Sequence, residues 1–307
     1  MSRPFIAVLG AVALSATARA QSAAPEPSPT PVHEGRVWAP GRAVKSPGNA
    51  VWAPDVETAH DRAATEGALV YHELARKNCG DCVRMQALLY PAFDFEALLI
   101  GMVPVIVDMD SDAGQKLAER YHITEAPSVL ITTPSGRLVF LMQGFRDAPD
   151  FYTHVRADLD QYRKFARVVD AQDVAHLPSA EAYKTGQQLY ARFDFEGAAA
   201  RLTRAADAKD ATPVIRSSAL EGLAAAELEL GKPAESRRAI DRLIASTKDP
   251  AQKENAELFR AQISLVENKP QEALAAYKRF AKEHPESPYL DKVKTFIARL
   301  EGGTPKS

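Results

Sequence analysis

The hydrophobic period of the chain changes near residue 170, and that change limits what each half can fold into. From 51 to 165, short apolar runs of strand length alternate with stretches of helical spacing. "ALVYHEL" (68–74) reads as a buried strand and "MVPVIVDMD" (102–110) as a second. "SVLITT" (128–133), the turn "PSG" (134–136) and "RLVFLMQG" (137–144) predict a β-hairpin. Helical spacing marks 55–67, 82–90, where Pro91 interrupts, 93–100 and 113–121, and 148–166 reads as a closing amphipathic helix. The order αβαβαββα implies an α/β fold, a mixed sheet with helices on both faces.

Residues 179–301 carry helical periodicity throughout, rich in Ala, Leu and Glu. A weak repeat runs through them. Gly186, Ala224 and Ala261 align, followed by Tyr190, Leu228 and Leu265, then by the turn elements Phe195, Pro233 and Pro270. Ala198, Ser236 and Ala273 open the second helices, at spacings of 38 and 37 residues. Small residues let paired helices approach, and large ones fill the contact between them. This half resembles tetratricopeptide-type (TPR-like) repeats, most clearly in "KPQEALAAYKRFAKEHPES" (269–287), and the competing reading is a plain helical bundle.

The N-terminus opens with Arg3, an apolar or small run over 5–18, and Ala18-Arg19-Ala20. That is the pattern of a secretory signal peptide over 1–20, cleaved after Ala20, with an uncleaved membrane anchor as the alternative. Residues 21–50, rich in Pro, Ala, Ser and Gly, read as a disordered linker. A periplasmic or secreted location follows, one that permits disulfides. No later segment is apolar enough to span a bilayer, so no membrane span is expected after cleavage. A formal net charge of −2 gives no electrostatic reason to expect nucleic acid as a partner.

Both cysteines lie in "RKNCGDCVRM" (76–85), as Cys79 and Cys82. Structural zinc asks for four Cys or His ligands, and the histidines are scattered, so no metal site is expected; a two-thiolate site for Cu(I) stays open. A staple across so short a loop stabilises by only about 2 kcal/mol before strain. A redox pair fits better. Cys79 follows a strand and loop, and Cys82 sits where a helix begins, whose amides stabilise a thiolate on Cys79. Cys82, one turn on, can resolve a mixed disulfide.

With this motif, residues 51–166 resemble the thioredoxin superfamily. "CGDC" follows the strand "ALVYHEL", and "YHITEAPSVLITTPSGRLVFLMQG" (121–144) is similar to that family's segment of cis-proline, hairpin and glycine. The resemblance implies a thioredoxin-like domain over 51–166 and a cis Ala126–Pro127 bond beside the cysteines, where Ala126 and Pro127 would bind substrate. It also implies that Glu73, six residues before Cys79, takes a proton from Cys82; the other reading of Glu73 is an outward-facing strand residue. Two positions depart from the family: Asn78 replaces the usual aromatic, and Asp81 the usual proline. Asn78, Gly80 and Asp81 are thus the positions expected to tune the pair. Asp81 should oppose a Cys79 thiolate, while Arg76, Lys77 and Arg84 should favour it. His72 and His122 could flank the site, although a lone histidine is more often a packed or surface residue. Trp52 reads as packing, and the charges of "ESRRAIDR" as a solvated helix face.

The expected function is an exported thiol–disulfide oxidoreductase. Its only redox group would be the Cys79–Cys82 disulfide, with no other cofactor. Its partners would be protein substrates or a thiol reductase, with a further protein on the helical repeats. The alternatives are a non-catalytic binding module on the same two parts, and a Cu(I)-handling chaperone.

Overall fold

The computed structural model describes residues 51–90 and 93–302. The expected signal peptide and linker lie outside the described residues, as does Pro91.

The first part alternates as the period predicts: α1 (Val56–Glu66), β1 (Leu69–Ala75), α2 (Gly80–Leu89), α3 (Phe93–Leu98), β2 (Met102–Asp108), α4 (Asp112–Tyr121), β3 (Ser128–Thr132), β4 (Leu138–Gln143) and α5 (Ala148–Val169). Side-chain caps fix the helix starts. Asp55 accepts from the Thr58 amide, Ser111 from Gly114, and Asp147 from Asp150, each serving an amide that the first turn leaves unbonded. The strands form one sheet of order β2-β1-β3-β4. β1 pairs parallel with β2 and antiparallel with β3, and β3 pairs antiparallel with β4, so the sheet is mixed. Ala53 adds a parallel bridge to Val105 at the β2 edge.

Helices cover both faces, and each face has its own core. Val70, Leu74, Val105 and Leu130 pack with Ala59 and Ala63 of α1. Tyr71, Val129 and Ile131 pack on the other side with Met85 and Leu89 of α2, Phe95 of α3, and Phe151 and Val155 of α5. Trp52 is buried in this second core, as its packing role requires. Gly114 allows α4 to lie against the end of β2, since a Cβ there would sit 2.0 Å from the Asp108 carbonyl oxygen.

The second part is all helical among the described residues. Beyond a short 3₁₀ turn at Val174–His176 come α6 (Ser179–Tyr190), α7 (Phe195–Asp207), α8 (Pro213–Glu229), α9 (Pro233–Ser246), α10 (Pro250–Val266), α11 (Pro270–Glu283) and α12 (Leu290–Leu300). α8 to α11 each begin with proline, which has the right φ and lacks an amide that would go unbonded there. Each helix from α6 to α12 packs on the next. The aligned small residues meet as their spacing implies. A Cβ on Gly186 would lie 2.8 Å from Leu202 Cγ, and Ser236 Oγ donates to the Ala224 carbonyl at 2.7 Å.

α5 runs three residues further than its amphipathic pattern suggested, to Val169, because that end packs into the helical array. The hairpin also meets the array. Arg137 donates to Asp170 and to Asp194, both at 2.8 Å. The Leu138 amide donates to the Arg192 carbonyl at 2.7 Å, and the Arg192 guanidinium donates back to the Leu138 carbonyl at 3.0 Å. The "ESRRAIDR" segment departs from a purely solvated face: Arg237 is largely buried and holds Glu267 at 2.6 Å and Glu272 at 2.9 Å.

Candidate active site

Cys79 is the N-cap of α2 and Cys82 lies in its first turn. The two are joined as a disulfide. The Cys82 amide donates to Cys79 Sγ at 3.1 Å, so one of the unbonded N–H groups of the helix start points at that sulfur. Exposure separates the two: Cys79 is partly exposed, whereas Cys82 is 3% exposed.

The positions flanking the cysteines differ in backbone angle and exposure. Asn78 adopts φ 61°, the left-handed region that Asn tolerates better than an aromatic residue does. Gly80 has no steric obligation, since a Cβ there would meet nothing within 4 Å. Asp81 is exposed in the first turn of α2, where its charge suits the helix dipole. The nearby cations are engaged elsewhere. Arg76 lies 3.5 Å from Asp110, Lys77 3.9 Å from Asp108, and the Arg84 guanidinium sits 4.3 Å from the centre of the Phe145 ring.

The Ala126–Pro127 bond is cis. Ser128, the next residue, pairs with Leu74 at the end of β1, so Pro127 stands at the end of the sheet from which the Cys79 loop departs. Pro127 is buried and Ala126 half-buried. The Pro127 carbonyl accepts from the Gly144 amide at 2.9 Å, closing the base of the hairpin.

Glu73 points inward. It is fully buried on the α2 side of β1, which removes the outward-facing alternative. Gln86 Nε2 donates to its Oε1 at 2.6 Å, and the Tyr90 hydroxyl donates to its Oε2. Cys82, Gln86 and Tyr90 recur every fourth residue, so Glu73 faces the helix stripe that begins with Cys82. Burial pushes the Glu73 carboxyl up to about 7, against the downward pull of the Tyr90 and Gln86 hydrogen bonds.

The histidines lie away from this stripe. His72 points to the opposite face of β1, where its Nδ1 is 3.0 Å from the Leu130 carbonyl and its Nε2 3.1 Å from His60 Nε2. His60 Nδ1 lies 2.7 Å from the Pro134 carbonyl. Each carbonyl takes an N–H from its own ring, so the Nε2–Nε2 approach holds a proton only where one ring carries two. Burial, then the neighbouring His60, lowers His72 to about 3. His122 caps the end of α4 and packs on Phe193.

Sequence spacing missed two groupings that only the fold creates. One is the His60–His72 pair. The other is Glu257, Glu283 and His284, whose donor atoms lie within 4.8 Å of one another. His284 already contacts Glu257 of that group at 3.0 Å, and Glu254 outside it at 3.4 Å, linking α10 to the end of α11.

A mixed sheet with helices on both faces, a Cys-x-x-Cys disulfide opening the helix after the central strand, and a cis-proline entering the hairpin define a thioredoxin-like α/β fold. Among solved structures the chain is similar to a thioredoxin from Thermus thermophilus, with 24% identity, 32% of this chain and 79% of that chain covered, and a TM-score of 0.30. It is also similar to a DsbH oxidoreductase, with 16% identity, 36% and 85% covered, and a TM-score of 0.31. No family model and no curated protein matches the chain.

Proposed function

We propose that this protein is an exported thiol–disulfide oxidoreductase acting on protein substrates, with Cys79 as nucleophile and Cys82 as resolving thiol. The observation that carries the reading is the asymmetry of the pair: Cys79 is accessible and receives a helix-start amide, while Cys82 is buried on the face that Glu73 meets.

In the reducing direction the Cys79 thiolate attacks one sulfur of a substrate disulfide. A mixed disulfide forms and the first substrate thiolate leaves. Glu73 then takes the proton of Cys82, whose thiolate attacks Cys79 Sγ. The Cys79–Cys82 bond forms, the second substrate thiolate leaves, and the Glu73 proton passes to solvent or to a leaving thiolate. The substrate gains two electrons, and a partner thiol reductase restores the dithiol. Ala126 and cis-Pro127 would line the substrate groove, and Val83, exposed beside Cys82, adds apolar surface. The helical array, TPR-like in its spacing, would offer a surface for a protein partner. Export rests on the N-terminal pattern; among the described residues, no helix is long and apolar enough to cross a membrane.

The test is the reduction potential of the pair together with insulin reduction by wild type and Cys79→Ser. Turnover abolished by the substitution is expected. A potential below about −300 mV with no turnover would mark an inert disulfide and overturn the reading. Stoichiometric Cu(I) retention by the reduced protein against a chelator would instead favour metal handling.

A further inference from the structure

Both oxygens of Glu73 are held from one helix, the helix that carries the resolving cysteine. Gln86 holds Oε1 and Tyr90 holds Oε2, one and two turns beyond Cys82. The Tyr90 ring is itself locked, with its centre 4.9 Å from that of Phe95 and 5.5 Å from that of Trp52. A carboxylate offers about four lone-pair positions, so two donors leave room for the proton of Cys82.

Among the described residues, nothing else supports a charge on Glu73. The titratable groups facing it are Tyr90 from α2 and Tyr71 from β1, with Tyr152 of α5 beyond Tyr71. No cation pairs with it among the described residues. Burial and the Glu73 charge push Tyr90 well above its ordinary range, so its hydroxyl stays a donor. Hydrogen bonds to an ionised carboxylate favour that form, and here they are all that opposes burial.

We propose that Tyr90 and Gln86 are positioning residues that favour the ionised form of Glu73 and fix it towards the Cys82 face of α2. The proposal deepens the reading of Glu73 as the proton acceptor of Cys82, and rests on it. Without the two donors, Glu73 would hold its own proton at neutral pH and could accept none.

The experiment uses full-length oxidised protein and follows the Glu73 carboxyl carbon by NMR across pH. Tyr90→Phe keeps the ring in place, and Gln86→Leu removes the other donor. Each is expected to move the Glu73 titration up by about one pH unit. Tyr152→Phe, which removes a buried hydroxyl bonded to the Leu89 carbonyl at 3.2 Å, is expected to leave it in place. A Glu73 titration unmoved in either variant overturns the proposal. The second readout is the pH profile of mixed-disulfide resolution in the reduced protein. A parallel upward displacement supports the proposal. A carboxyl that moves while the rate profile stays fixed overturns the premise that Glu73 serves Cys82, while showing that the two hydrogen bonds were read correctly.

Discussion

Replacing Glu73 with glutamine removes a buried titration while keeping the shape of the side chain. The glutamine carbonyl can accept from Tyr90, and its amide can donate to Gln86 once that amide turns over. In the wild type, burial raises the carboxyl from 4.5 to about 7. The gap is worth about 3 kcal/mol, taking about 1.4 kcal/mol for each pH unit. The sign follows from the direction: the folded protein holds this proton more tightly than the unfolded chain does. Its stabilising contribution is therefore complete below the unfolded value near 4.5 and is lost as pH rises through about 7. Urea unfolding of oxidised wild type and Glu73→Gln, between about pH 5 and about pH 8.5, isolates the effect, because all other groups titrate in both proteins. The variant should gain about 3 kcal/mol relative to wild type across that range. Parallel stability curves would refute the reasoning.

His72 carries the opposite sign. Its lowered value, about 3, means that acidification below its ordinary 6.5 favours the unfolded chain; imidazole ¹⁵N spectra should show a neutral Nδ1–H ring at about pH 5, and an imidazolium there would show instead that a third proton bridges the pair. Gly186→Ile should destabilise by about 2 kcal/mol or more, read by thermal melts, because its first carbon already meets Leu202 at 2.8 Å. Arg137→Ala should cost about 2 kcal/mol or more in urea unfolding, since it leaves Asp194 largely buried without its cation, whereas Arg163→Ala on an exposed pair should cost less than about 1 kcal/mol.

Much of this architecture was legible because local chemistry and tertiary structure agree. The strands, the hairpin and the helix starts follow from period, turn residues and caps. The small residues at 186 and 224 stand at close helix contacts, as their spacing implies. Glu73 was harder for a physical reason: β1 is buried on both faces, so its sequence LVYHELA has no alternation of polar and apolar residues to tell the sides apart. Asn78 adopts a left-handed backbone angle that no local pattern in the sequence announces. The engagement of Arg76 and Lys77 by Asp110 and Asp108 depends on β2 running beside β1, which no spacing reveals. His60 and His72 meet only because α1 lies on that face of the sheet.

The exchange between Leu138 and Arg192 has a consequence for the sheet as a surface. β4 is an outer strand, and its first backbone groups are satisfied by the turn between α6 and α7 rather than by water. At the other margin, the Ala53 amide bonds the Pro104 carbonyl at 2.8 Å. Unsatisfied margins of this kind invite strand addition by a second chain. A polypeptide ending at residue 166 would keep every residue of the redox motif yet expose the start of β4, along with the Arg137 and Leu138 groups that the helices now occupy. The helical array therefore covers the first backbone groups of this outer strand as well as extending the chain.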